Sequence, residues 1–175
     1  MARVVYELNP VTFLTTGFIG QPGKRVFYLQ AARGRQVVTL LVEKLQVEAL
    51  AQGILEFLRE LEERFPNLTA AEADYHPEQM RLQTPLDPAF RVGQMGLGYD
   101  AERDLVVLVA QEVTTEERGV EEAGIARLFA TRAQMRSLAE HGRYIVRQGR
   151  PICPLCGQPI DPEGHFCPRR NGHRY

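Results

Sequence analysis

Between residues 4 and 42 the chain carries four short runs of β-branched and aromatic residues with no helical period, and this constrains the fold most. The runs cover 4–8, 12–19, 24–31 and 36–42. Gly20-Gln21-Pro22-Gly23 predicts a hairpin between the second and third, and Arg33-Gly34-Arg35 a tight turn into the fourth. Strands grouped in such meanders point to a largely antiparallel sheet.

The period then changes. Val47, Leu50, Ala51, Ile54, Leu58, Leu61 and Phe65 fall on one helical face, with Glu48, Gln52, Glu56, Arg59, Glu62 and Glu63 mostly opposite. Pro66 ends that helix. Gly53 inside it costs about 1 kcal/mol relative to alanine, which reads as close packing against a strand. Residues 67–88 are polar, contain Pro77, Pro85 and Pro88, and read as a long surface connection. Strand patterns resume at 90–99 and 105–113, with 125–130 as one further candidate. Thr131-Arg132-Ala133-Gln134 has the form of a capping box. It opens a helix to about Gln148 that buries Met135, Leu138, Ala139, Gly142, Ile145 and Val146. The expectation is an α+β domain over residues 1–149, with a mainly antiparallel sheet of about six strands and two main helices. The β-α-β alternation of a nucleotide-binding parallel sheet is absent.

A content of 44% apolar and 25% charged residues excludes wholesale disorder. No apolar run approaches the ~20 residues that span a bilayer. Met1-Ala2-Arg3 leads directly into a strand pattern without the apolar core of a secretory signal. A soluble cytoplasmic protein is expected. The net charge of −1 gives the whole molecule no pull on nucleic acid, but it is unevenly spread. Residues 132–175 hold eight arginines against Glu140, Asp161 and Glu163, a balance of +5 that leaves −6 for the remainder.

All three cysteines lie within residues 150–175, read as a separate zinc-ribbon-like knuckle. Cys153-Pro154-Leu155-Cys156-Gly157 forms a tight turn that brings two sulfurs within reach of one tetrahedral ion. A thioredoxin-like redox pair would need its first cysteine at a helix N-terminus, and Gly157 and Pro159 stop any helix. Cys167 supplies the third ligand. The fourth is His165 or His173. His165 is preferred, because on an extended strand it shares a face with Cys167 two residues on. His173, five residues beyond Cys167, is the alternative. Either choice gives one closed Cys₃His site for Zn²⁺, structural rather than catalytic, that folds about 25 residues too few to bury a core.

Several segments together resemble one known family. They are Gly149-Arg150-Pro151, Cys153 to Gly157, Asp161 to Arg169 and Asn171-Gly172 in the tail, and Gly20 to Ala31, Glu43 to Val47 and Phe90 to Gly93 upstream. They are similar to an uncharacterised bacterial family catalogued as domain of unknown function 3090. The resemblance covers nearly the whole chain and brings no activity with it. It implies that the position of His165 is kept as histidine while that of His173 is often aromatic. Members are encoded beside kinase-like and phosphatase-like proteins, which implies a regulatory or adaptor role.

Other constellations have plainer explanations beside functional ones. Gly17 to Arg25 offers backbone N–H groups and two cations to an anion, but lacks the Gly-Lys-Ser/Thr order of a phosphate loop and fits a hairpin turn. Gly93-Gln94-Met95-Gly96-Leu97-Gly98 has the wrong spacing for a dinucleotide loop and reads as a bulge or close backbone approach. Asp74-Tyr75-His76 pairs a carboxylate with an imidazole on a loop, without a nucleophile nearby in sequence. Glu43-Lys44 at the strand-to-helix junction offers an acid–base pair, but Glu43 reads as a helix-start charge, and His141, between Glu140 and Arg143, reads as part of a solvated face. Arg132, Arg136, Arg143, Arg147 and Arg150, with Arg169, Arg170 and Arg174, form a stripe able to contact phosphates, with few aromatics for base stacking. Taken together these features favour a non-enzymatic regulatory or scaffold module that contacts a protein partner. One alternative is a nucleic-acid-binding protein using the arginine face. Another is an enzyme with a site on the sheet face or the 67–88 loop, which a large pocket near His76 or Lys24 would support.

Overall fold

The four initial runs form β1 (Val5–Leu8), β2 (Phe13–Ile19), β3 (Val26–Arg33) and β4 (Gln36–Val42). Helix α1 (Lys44–Arg64) follows, then a one-turn 3₁₀ segment at Pro77–Gln79. The chain continues through β5 (Pro88–Asp100), β6 (Leu105–Glu112), β7 (Ile125–Ala130) and α2 (Arg132–Arg147). These elements come from a computed structural model, which describes residues 3–21, 23–70, 72, 74–117 and 119–148. The proposed zinc ligands Cys153, Cys156, His165, Cys167 and His173 lie outside the described residues, as do Pro22, Arg150, Arg169, Arg170 and Arg174.

The α+β class is as expected, with 125–130 adding a seventh strand to the sheet. The order is β1-β7-β6-β5-β4-β3-β2. Neighbours are antiparallel except β1/β7 and β4/β5. The β4/β5 pair is parallel because α1 and the connection after it return the chain to the same end of the sheet. The two outermost strands are consecutive in sequence. In a flat sheet, six inter-strand spacings would hold them about 29 Å apart. The five Cα steps from Leu8 to Phe13 reach at most about 19 Å. The sheet therefore curls. Val11 N–H donates to Phe129 O on β7 and Thr12 N–H to Ala32 O on β3, both at 2.7 Å, so two adjacent residues stitch the sheet's halves together.

Both helices cover one face of this curled sheet. Register places Leu29 opposite Leu40, Leu40 opposite Phe90, and Leu108 opposite Leu128 in the core. α1 contributes Val47, Leu50, Ala51, Ile54, Leu58 and Leu61, and α2 contributes Met135, Leu138, Ala139, Ile145 and Val146. Gly142 lies where α2 meets α1 and β2; a Cβ there would sit 3.3 Å from Val47 Cγ1 and 3.7 Å from Thr16 Cγ2. The predicted capping box is present. Gln134 N–H donates to Thr131 Oγ1 at 3.0 Å, and Thr131 N–H to Gln134 Oε1 at 2.8 Å.

On the opposite face of β2, β3 and β4, Thr15, Gln30 and Thr39 are buried although polar. The 67–88 connection is more than a surface loop, because part of it crosses this face. Gln83 N–H donates to Gln30 Oε1 at 2.7 Å, and Gln30 Nε2 donates to Gln83 O at 3.0 Å and to Thr39 Oγ1 at 2.9 Å. Thr15 Oγ1 donates to Met80 O at 2.6 Å. Leu82 packs where Gly17 leaves room; a Cβ on Gly17 would come within 2.8 Å of Leu82 Cγ.

Candidate functional site

β5 is longer than the strand beside it. It pairs with β6 from Val92 to Asp100, but with β4 only over Pro88–Arg91. Beyond Arg91, among the described residues, no strand pairs with its other side. In an antiparallel ladder every second residue aims its N–H and C=O away from the partner, so Gln94 to Tyr99 present unpaired backbone groups along this edge. Natural edges are usually blunted by charge or proline. Gln94-Met95-Gly96-Leu97-Gly98-Tyr99 carries neither. The expected bulge is at Gly93, where the register shifts between Val92 and Gln94. A Cβ there would meet Val113 Cα at 2.8 Å, so glycine is required. Gly96 and Gly98 face open space.

Helix α1 runs beside the open edge and leaves a cleft of about 460 Å³ between them. Leu50, Gly53 and Phe57 form one wall, Met95 and Leu97 the other, with Leu108 beneath. Gln46 Nε2 marks one end by donating to Val92 O at 3.0 Å. At the far end of both elements the Phe65 and Tyr99 rings stand 5.4 Å apart. Fourteen helical steps from Gln46 to Glu60 make the cleft about 21 Å long. Gly53 corrects the sequence reading. Nothing lies within 4 Å of where its Cβ would be, so it opens the cleft instead of packing against a strand. Glu56 and Glu60, one turn apart, also line the cleft. Glu56 accepts from Gln52 at 3.2 Å, and neither carboxylate has an ion-pair partner among the described residues.

The residues singled out in the sequence are scattered. Around Gly17 to Arg25 the chain makes a hairpin, with Gly20 and Gly23 at φ of 109° and 86° and Lys24 N–H donating to Gln21 O at 2.8 Å. The Arg25 guanidinium lies 4.7 Å over the Phe18 ring. Glu43 caps α1 and accepts from Arg91 at 2.8 Å. His76 is half-exposed and contacts the Asp74 carboxylate at 2.9 Å. Asp74 lines a shallow cleft of about 250 Å³ whose walls do not include His76.

The arginine stripe is divided. Arg132 is only 7% exposed. Its Nε and Nη2 donate to the two oxygens of Asp104 at 2.9 and 3.1 Å, and Tyr99 donates to the same carboxylate at 2.7 Å. The guanidinium holds the Asp104 carboxyl below its usual range. Burial, reinforced by the bond to Asp104, pushes the Tyr99 phenol up to about 12. Arg143 and Arg147 are exposed, and with Arg59 they line a second cleft of about 560 Å³ between the helices, together with Glu48 and Glu56. His141 belongs to no solvated face. It is buried, its Nδ1 lies 2.8 Å from the Tyr75 hydroxyl, and its ring stacks on Tyr144 with centroids 5.9 Å apart. Desolvation lowers its pKa to about 4, so the imidazole is neutral near pH 7.

Sequence reasoning saw Gly93 to Gly98 only as a backbone feature and missed the cleft. The signal within the sequence was the absence of any charged residue from Gly93 to Tyr99; that β4 lies beside this strand and stops short of it depends on the strand order.

A family profile described as "Protein of unknown function (DUF3090)" matches residues 6–167. No curated protein and no solved structure matches the chain. Because the profile spans the sheet, both helices and most of the cysteine-bearing tail, the chain belongs to the DUF3090 family.

Proposed function

We propose that the protein is a non-enzymatic regulatory or scaffold module that works by holding another protein. One observation carries this reading: a six-residue strand edge without charge or proline stands open beside an apolar cleft. Such an edge invites pairing with any extended chain, and proteins that do not use one protect it. The tail at 150–175 belongs to the same proposal. Three thiolates and an imidazole, from Cys153, Cys156, Cys167 and His165, suit one structural Zn²⁺. The ion would order a second contact surface rich in arginine. A soluble cytoplasmic location fits a chain in which no described helix is long and apolar enough to cross a membrane.

The test places a photo-crosslinking phenylalanine analogue at position 57, in the cleft, or at position 37, on an exposed part of β4. Expressed in the native host, the first captures one specific protein and the second does not. Equal capture from both positions, or none from position 57, defeats the proposal.

A second reading, nucleic-acid binding, is favoured by the exposed Arg59, Arg143 and Arg147 around the interhelical cleft. Glu48 and Glu56 in the same walls, and the loss of Arg132 to Asp104, weigh against it. A mobility shift with random DNA and RNA separates the two. Absence of a shift, or one unchanged by Arg→Ala at 143, 147, 169 and 170, removes this reading.

A further inference from the structure

We infer that the cleft between α1 and β5 takes an extended, basic segment of a partner protein, about six residues long, added as a strand to the open edge of β5. The inference rests on the docking reading above and specifies its ligand.

Length comes first. The cleft of about 21 Å accommodates six residues at ~3.3 Å each. The conformation follows from the edge, since unpaired N–H and C=O groups at alternate positions of Gln94 to Tyr99 are satisfied together only by another extended backbone. Gly53 and Gly96 leave that backbone room, with open space at the Cβ position of each.

Charge comes next. Side chains of an added strand alternate, so every second one faces α1. There it meets the apolar wall of Leu50 and Phe57, with the Glu56 and Glu60 carboxylates lining the same side of the cleft. A central valine-sized residue fits the wall. An arginine or lysine on either side lays its alkyl stem on the wall and brings its charged head to a carboxylate. No arginine or lysine lines this cleft to repel it. The same carboxylates disfavour a second copy of the chain, because two β5 edges paired across a dyad would bring like charges together.

The experiment is fluorescence anisotropy with the full zinc-loaded chain and three labelled hexapeptides: Arg-Thr-Val-Thr-Arg-Thr and its counterparts with both arginines replaced by glutamine or by glutamate. The arginine peptide should bind at least ten-fold more tightly than the glutamate peptide. N-methylation of its alternate amides should remove binding, because the main-chain pairing is lost. The double variant Glu56→Lys, Glu60→Lys should reverse the preference between arginine and glutamate peptides. Gly53→Leu fills the cleft and should weaken binding at least ten-fold, with circular dichroism and Tm showing an intact fold.

Equal binding of all three peptides overturns the basic assignment and leaves the docking reading standing. N-methylated and parent peptides binding alike overturns strand addition. With the crosslinker at position 57, a link to residues 149–175 of the same chain, or to a second copy, assigns the cleft to that occupant and overturns the proposal. No peptide bound and no partner captured defeats both this inference and the docking reading.

Discussion

Replacing Gln30 with leucine probes the strap that the 80–83 segment lays across the sheet. The Gln30 amide is fully buried and makes three hydrogen bonds, one to Thr39 and two to the Gln83 backbone. Each such bond contributes about 1 kcal/mol net, and a buried polar group left without a partner costs about 1–3 kcal/mol more. Gln83 is an exposed residue, so water can replace part of what its backbone loses. Thr39 is 3% exposed and has no such recourse. Leucine is close in volume, which keeps the cavity contribution small. The sum is about 3 kcal/mol, equivalent to a Tm lowered by roughly 6–12 °C for a chain of this length. Thr39→Val removes one bond of the three and should cost about 1 kcal/mol. Thermal unfolding gives both numbers. Native-state hydrogen exchange adds a local readout, because the Gln83 amide should exchange faster in Gln30→Leu while the β3 amides change less. A Tm within about 2 °C of the parent, with the Gln83 amide still protected, would show that the strap is held by Leu82 packing and that the amide contributes nothing.

Three further outcomes follow from the described geometry and the tail sequence. His141 titrates near 4 when folded and near 6.5 when unfolded, so its contribution is present above pH 6.5 and lost as pH falls toward 4. The loss is on the order of 3 kcal/mol, and denaturation of His141→Phe across that window should lack this slope; an unchanged slope would place the titration elsewhere. Asp104→Asn leaves the buried Arg132 guanidinium without its counter-ion. It should cost about 1–3 kcal/mol at pH 7; Arg132 Nη1 also donates to Thr69 O, and an unchanged Tm would mean that this bond and water suffice. Metal analysis should find one zinc per chain, with His165→Ala weakening retention far more than His173→Ala; the reverse ranking would make His173 the fourth ligand.

Local chemistry made most of the elements legible. Turn residues at Gly20 to Gly23 and at Gly34, the helical period from Val47, Pro66, and the Thr131–Gln134 box are short-range signals, and each stands where the sequence placed it. What the sequence could not state were relations between residues far apart. His141 looks solvated beside Glu140 and Arg143, but Tyr75, sixty-six positions away, covers it. Arg132 looks like one arginine of a stripe, but the β5–β6 turn delivers Asp104 to it. Gly53 looks like a packing contact, and the strand it might have touched stands off across a cleft.

The sequence by itself determined six of the seven strands and the two helices, with 125–130 as a candidate for the seventh, because each depends on residues within a few positions of one another. Only the tertiary structure decided that β1 and β2 close the curled sheet, and that β5 outruns β4 to leave an edge open beside α1. Strand order and edge exposure follow from which long-range pairings satisfy the most backbone groups and bury the most apolar surface together. That competition is settled across the whole chain.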